Sequence, residues 1–208
     1  MPSLLIHLAV GKKVNEKLCK KEESFLTGCI APDLAKQVGL KRSDSHFQDK
    51  DGNYDLKRFI DKYYEYMNNE YVLGYYVHLY TDYLWYRYFA SEIMDDNYIT
   101  KLDGSKIKCA NENMQKLYLY NDYSNISFDI IKEYGLDLEF FHQNKYYSNS
   151  IIEEVPYDKI GILIDMMVDI LNQKTYKSNF MFEFDHIKQF IDVIVDYIIA
   201  NLKEEKII

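Results

Sequence analysis

The sequence predicts an all-α fold built as a single multi-helix domain, and three observations lead there. The 208 residues include only 3 Pro and 8 Gly, too few turn formers for a many-stranded β protein. Apolar residues recur at helical spacing, most plainly Ile187, Phe190, Ile191, Ile194, Ile198 and Leu202 near the C-terminus. No internal repeat or low-complexity linker divides the chain, so residues 1–208 read as one domain. Hydrophobic residues at 48% and charged residues at 28% suit a packed core.

Taken in order, Leu4, Leu5, Leu8, Val14 and Leu18 space a first helix over 3–19, which Ser3 can cap. A second short helix is expected over 22–31, because Ser24 can cap it and Pro32 disfavours helical geometry at Ala31. Residues 33–53 read as irregular: Gly39, the polar run Ser43-Asp44-Ser45-His46 and Asp51-Gly52-Asn53 are turn chemistry. Helical pattern returns at 55–67 and resumes at 69–94, the longest aromatic helix. A turn near Asp103-Gly104 leads into a helix over about 109–134, with Gly135 as its C-cap. After a loop carrying Phe140, Phe141 and His142, Pro156 suits the start of a helix running to about 171. The last helix is expected over about 184–204.

Charge and cysteine usage narrow the function classes. A net charge of −8 without a basic stripe argues against duplex nucleic acid as a partner, since that needs Lys and Arg along the phosphates. Cys19, Cys29 and Cys109 are odd in number and lack CxxC spacing, which fits a reducing compartment and offers no thiolate zinc site. The N-terminal apolar run is short and its Lys residues follow it, the reverse of a secretory signal. No stretch approaches the roughly 18 apolar residues of a spanning helix. A soluble, cytoplasmic protein without a transmembrane segment is the expectation.

Chemistry concentrates in the first 82 residues. His78 and Asp82 stand four apart on the aromatic helix, so imidazole and carboxylate share a face and can converge on one cation. Gly74 lies a turn earlier on that face and permits close approach of another backbone. Asp33 follows Ala31-Pro32, where it can either cap residues 34–38 or ligate from a rigid loop. His46 sits in the polar segment, and His7 lies on the first helix with Gly11 one turn later. Each has an ordinary reading as well: a core histidine for His7 and His78, a surface histidine for His46, a Tyr partner for Asp82. Together, His7, Asp33, His46, His78 and Asp82 form a His/Asp-only set suited to zinc or another divalent ion. The metal-binding half is thus about 1–94, with a helical C-terminal half at about 105–205.

The runs MPSLLIHLAVGKKV, FLTGCIAPDLAK, SHF and GYYVHLYTDYLW, in that order, resemble the zinc-dependent phospholipase C family of bacteria, which shares a superfamily with single-strand-specific zinc nucleases. The resemblance covers about residues 1–90. It implies an all-α fold of that type with metals among the helices. Asp33, His46, His78 and Asp82 would hold one zinc, and Asp82 would bridge toward a second near His7. It further implies a role for the N-terminal amine, here near Met1 and Pro2. The family's third zinc would need a His soon after HxxxD and a later HxxxE pair. This chain has Tyr86, Arg87 and Tyr88 after Asp82, and neither His142 nor His186 is followed by Glu four residues on. One or two ions are therefore expected.

The expected function is a metal-dependent, zinc-type hydrolase of a phosphoric ester, with a small phosphoester or phospholipid-like substrate. Asp33 and Asp82 are the candidate catalytic carboxylates that orient water, Asp44 a further candidate base, and Arg42 a candidate phosphate clamp. The alternative is a non-catalytic helical protein whose structural or vestigial metal site serves a partner-binding role. An HD-type phosphohydrolase ranks below both, because no His is followed by Asp.

Overall fold

In a computed structural model that describes residues 2–138, 151–172 and 178–208, local signals set most helix ends. Helix α1 (Leu4–Leu18) starts where the Ser3 side chain accepts the Ile6 N–H, and it stops at Cys19 in left-handed geometry (φ 52°). Helix α2 (Glu22–Ile30) begins earlier than a Ser24 cap would allow. Ser24 lies inside it, and Glu22 and Glu23 in the first turn complement the helix dipole. A 3-10 turn, Ala31–Asp33, carries Pro32 and passes into two short helices, α3 (Leu34–Gln37) and α4 (Arg42–Ser45). The 33–53 segment is thus less irregular than its composition suggests. Gly39 and Gly52 supply its positive-φ turns, and Gln48 pairs with Tyr54 in an isolated β-bridge.

Asp55 caps α5 (Leu56–Tyr63), and Asn69 caps α6 (Glu70–Trp85) by accepting the N–H groups of Tyr71 and Val72. The expected continuous helix over 69–94 is interrupted. After Trp85 the chain widens into a π-helical stretch, Tyr86–Ala90, and then a single turn, α7 (Ser91–Ile93). A small antiparallel sheet follows, β1 (Met94–Asp95), β2 (Tyr98–Thr100) and β3 (Lys106–Lys108), with Ile99 opposite Ile107. The fold is predominantly helical rather than all-α. These strands are two or three residues long, too short for an alternating pattern to register in sequence.

Helix α8 (Glu112–Tyr134) is capped by Asn111 and closed by Gly135 at φ 56°, as its C-cap signal predicts. The loop with Phe140, Phe141 and His142 lies outside the described residues. Pro156 precedes a 3-10 turn, Tyr157–Lys159, and then α9 (Gly161–Asn172). Helix α10 (Phe184–Glu204) matches its apolar stripe, and Ile187, Phe190, Ile191, Ile194, Ile198 and Leu202 are all buried. Helix α1 is the hub, packing on α2, α6, α8 and α10, while α2 and α6 make the most extensive helix pair. Beyond the α6 end of that pair, Trp85 meets Phe89, Phe182 and Phe190. Among the described residues no helix is long and apolar enough to cross a membrane.

Candidate metal centre

The site begins with two glycines. Gly28 on α2 and Gly74 on α6 face each other, and a Cβ on Gly74 would collide with the Phe25 carbonyl oxygen. A Cβ on Gly28 would strike the Tyr71 carbonyl. Backbone-to-backbone approach at this crossing brings the Cys29 carbonyl to His78, whose Nδ1–H donates to it at 2.8 Å. Gly11 on α1 does the same for the third helix, since a Cβ there would lie 2.6 Å from Cys29 Sγ. His7 is thereby laid flat against His78, ring centroids 3.7 Å apart and planes 11° from parallel.

The loop side is fixed by hydrogen bonds rather than packing. Ser45 Oγ donates to the Pro32 carbonyl at 2.9 Å, and the Tyr75 hydroxyl donates to the Ser45 carbonyl at 2.6 Å. His46 Nδ1–H donates to the Arg42 carbonyl at 3.1 Å with Ser45 Oγ also at 2.8 Å, so its ring is held from behind. Asp33 occupies the N-cap position of α3 but its carboxylate makes no capping bond. It turns instead to His46, with Oδ1 3.3 Å from Nε2. Neither ordinary role is realised: His46 is fully buried, and Asp33 is only 6% exposed.

All five predicted residues converge. His46 Nε2 and His78 Nε2 are 3.3 Å apart, and Asp82 Oδ2 lies 3.5 Å from the first and 3.9 Å from the second. His7 Nε2 is 3.4 Å from Asp82 Oδ1. Because His78 Nδ1 donates to the Cys29 carbonyl, His78 Nε2 presents its lone pair to His46 Nε2. Two lone pairs at that distance repel unless a cation or proton lies between them. Ligand atoms around one tetrahedral zinc, at bonds of about 2.0–2.1 Å, stand about 3.3–3.4 Å apart. The separations of His46 Nε2 from His78, Asp33 and Asp82, 3.3, 3.3 and 3.5 Å, fall at or just above that value, and the His78–Asp82 separation of 3.9 Å is wider. Asp33 Oδ2, Asp82 Oδ1 and both His7 ring nitrogens are buried without an aligned hydrogen-bond partner, the condition a metal would relieve. The triplets His7–Asp33–His78 and His46–His78–Asp82 each bring their ligand atoms within 4.8 Å of one another.

The electrostatics agree with a neutral His78 imidazole and ionised Asp33 and Asp82 carboxylates, the states that ligate. Burial, reinforced by the neighbouring His7, lowers the His78 pKa from 6.5 to about 3. Burial alone would raise the Asp33 carboxyl, but its bond to His46 and the surrounding imidazoles outweigh it and hold it at about 2. Asp82 is likewise lowered well below the usual range, burial being overcome by His7, His78 and His46.

Two groups that the sequence does not place at the site complete the centre. Tyr54 donates its hydroxyl to Asp82 Oδ2 at 2.8 Å, and the Cys29 carbonyl orients His78. A β-bridge partner in a turn region and a backbone oxygen carry no sequence signature. Arg42 is present but not free: its Nη2 lies 2.6 Å from Asp82 Oδ2. Asp44 is exposed with its carboxylate toward the Ser43 hydroxyl, so it is not part of the cluster and cannot act as its base. His186 accepts the Glu183 N–H and caps α10, whereas His142 and Met1 lie outside the described residues. The Tyr-rich face of α6 divides, with Tyr71, Tyr75 and Tyr76 in the core and Tyr80 and Tyr83 at its edge. No protein-family model, curated protein or solved structure matches the chain.

Proposed function

We propose that the chain is a metal-dependent hydrolase of a phosphoric ester, with zinc the best-fitting ion. One observation carries this reading: two buried imidazole Nε2 atoms face each other at 3.3 Å with the Asp33 and Asp82 carboxylates beside them. A centre that only filled space would pair such atoms with donors. His46, His78, Asp33 and Asp82 would hold the ion, with His7 beside them. A divalent ion there supplies Lewis-acid polarisation of a phosphoryl oxygen and a readily deprotonated water.

The chain's own groups divide the remaining work. Asp33 is the better of the two carboxylates for orienting water, because its Oδ2 has no hydrogen-bond partner and the residue lines a cavity. Asp82 Oδ2 already receives Arg42 and Tyr54, so Asp82 is the anchor. The cavity, about 290 Å³, opens beside Asp33 and is lined by Leu4, Leu5, Tyr123, Leu163 and Met167 among others. Its apolar wall favours an ester with an apolar substituent, in keeping with a phospholipid-like substrate.

The test is metal content of the purified protein, followed by hydrolysis of bis-p-nitrophenyl phosphate and p-nitrophenyl phosphate. Bound zinc with turnover that Asp82→Asn removes supports the reading. Bound zinc with equal, negligible rates in both proteins favours a structural metal site.

A further inference from the structure

Outside the ligand set, the most unusual feature is a closed triangle on one oxygen. Arg42 Nη2 and the Tyr54 hydroxyl both donate to Asp82 Oδ2, at 2.6 and 2.8 Å, and Arg42 Nη1 donates to the Tyr54 oxygen at 3.2 Å. Residue 42 therefore acts twice, its carbonyl orienting His46 and its guanidinium gripping Asp82. We propose that Arg42, braced by Tyr54, is the oxyanion-binding arm of the centre, presenting a fixed second cation to a phosphoryl group beside the metal. This rests on the metal-dependent reading above.

Three features carry it. The arm stands at an edge of the cluster, because the Arg42 side chain is 24% exposed and that of Asp82 is 0% exposed. Tyr86, stacked on Tyr54 at 5.9 Å and 44% exposed, forms the adjoining surface. Second, donors remain. Arg42 Nε is buried with no partner, and the guanidinium has five N–H groups, of which only two are spent in the triangle. Planar, multiple N–H donation suits a phosphoryl group, and neither Arg nor the protonated phenol repels its charge. Third, Asp33 and Asp82 contribute −2 and Arg42 +1, a sum of −1. One divalent ion then makes the centre +1, whereas without Arg42 it would be neutral. A net positive, water-poor site draws an anion.

The experiment uses inorganic phosphate as probe, titrated calorimetrically into the zinc-loaded protein, with zinc content and thermal unfolding measured in parallel. Losing charge-assisted hydrogen bonds predicts at least about a tenfold weaker phosphate affinity in Arg42→Met at unchanged zinc content. Arg42→Lys keeps the charge and loses the fork, so its affinity falls between the two. Tyr54→Phe removes the oxygen that accepts from Arg42 Nη1, so the guanidinium is held less firmly and phosphate binding weakens by about threefold. If Arg42→Met does not fold, the Arg42→Lys and Tyr54→Phe affinities decide, and wild-type values in both overturn the proposal. It is also overturned if Arg42→Met binds phosphate like wild type, if it sheds zinc, or if zinc-loaded wild type binds no phosphate. Wild-type protein that takes up no zinc removes the metal-dependent reading itself, a distinguishable result.

Discussion

Asp82 and Asp122 are both fully buried carboxylates on long helices, yet their surroundings differ in kind. Asp122, on α8, accepts the backbone N–H groups of Phe180, Met181 and Phe182 and the side-chain amide of Asn121. Every partner is a neutral donor from the protein, and both oxygens are used. Asp82 crowds Arg42 and Tyr54 onto one oxygen and leaves the other facing His7 without an aligned bond. Burial alone does not distinguish the two carboxylates; the buried oxygen without an aligned partner does. Asp122 pins the segment leading into α10, whereas Asp82 keeps one buried oxygen without an aligned partner.

The largest effect should break this comparison from the structural side. Asp122→Ala strands two buried N–H groups and a part-buried one and is expected to cost about 3–5 kcal/mol, read by denaturant unfolding. Its zinc uptake, per folded molecule, should stay at the wild-type level. The same loss of stability in metal-free Asp82→Asn would mean that Asp82 is a staple too. A smaller cost is expected there, because the new amide can still accept from Arg42 and can donate toward His7 Nε2.

Zinc tests the other side. At free zinc about 100 times its dissociation constant, wild type should gain about 2.7 kcal/mol of stability, and Asp82→Asn should lose most of that gain. An identical gain in Asp122→Ala, measured from its lower starting point, would sharpen the division of labour. Gly74→Ala then asks whether the centre depends on the α2–α6 crossing. Its Cβ meets backbone, not a movable side chain, so about 1–3 kcal/mol of destabilisation is expected together with weaker zinc binding as the Cys29–His78 bond is strained. Loss of stability with full zinc affinity would show that His78 is oriented by other means.

The smallest effect concerns thiols. Cys19 is exposed, while Cys29 and Cys109 are buried, and burial raises both of the buried thiols above the ordinary value. One fast-reacting thiol is expected in native protein labelled with a disulfide reagent at pH 8, with two more only on unfolding. Fast labelling of Cys29 would reveal opening at the very crossing that carries the centre.

Particular residues show how much of this was legible. Ser3 and Gly135 signalled helix ends correctly because a cap is a local event between near neighbours. Ser24 misled, since two Glu residues upstream start the helix sooner. The hairpin of 94–108 left no usable pattern, and the π-helical widening after Trp85 has no compositional marker.

The site divides the same way. His78 and Asp82 share a face by spacing alone, and Gly74 beside them announced a close backbone approach. The sequence by itself determined the predominantly helical character, the stripe of α10 and a set of five His and Asp residues worth testing together. Only the tertiary structure decided that residues 7, 33, 46, 78 and 82 meet, which oxygen of Asp82 is spent, and that Arg42 and Tyr54 spend it. The physical reason is range: caps and helical faces are settled within a few residues, whereas the contents of a buried polar centre depend on elements up to about eighty residues apart.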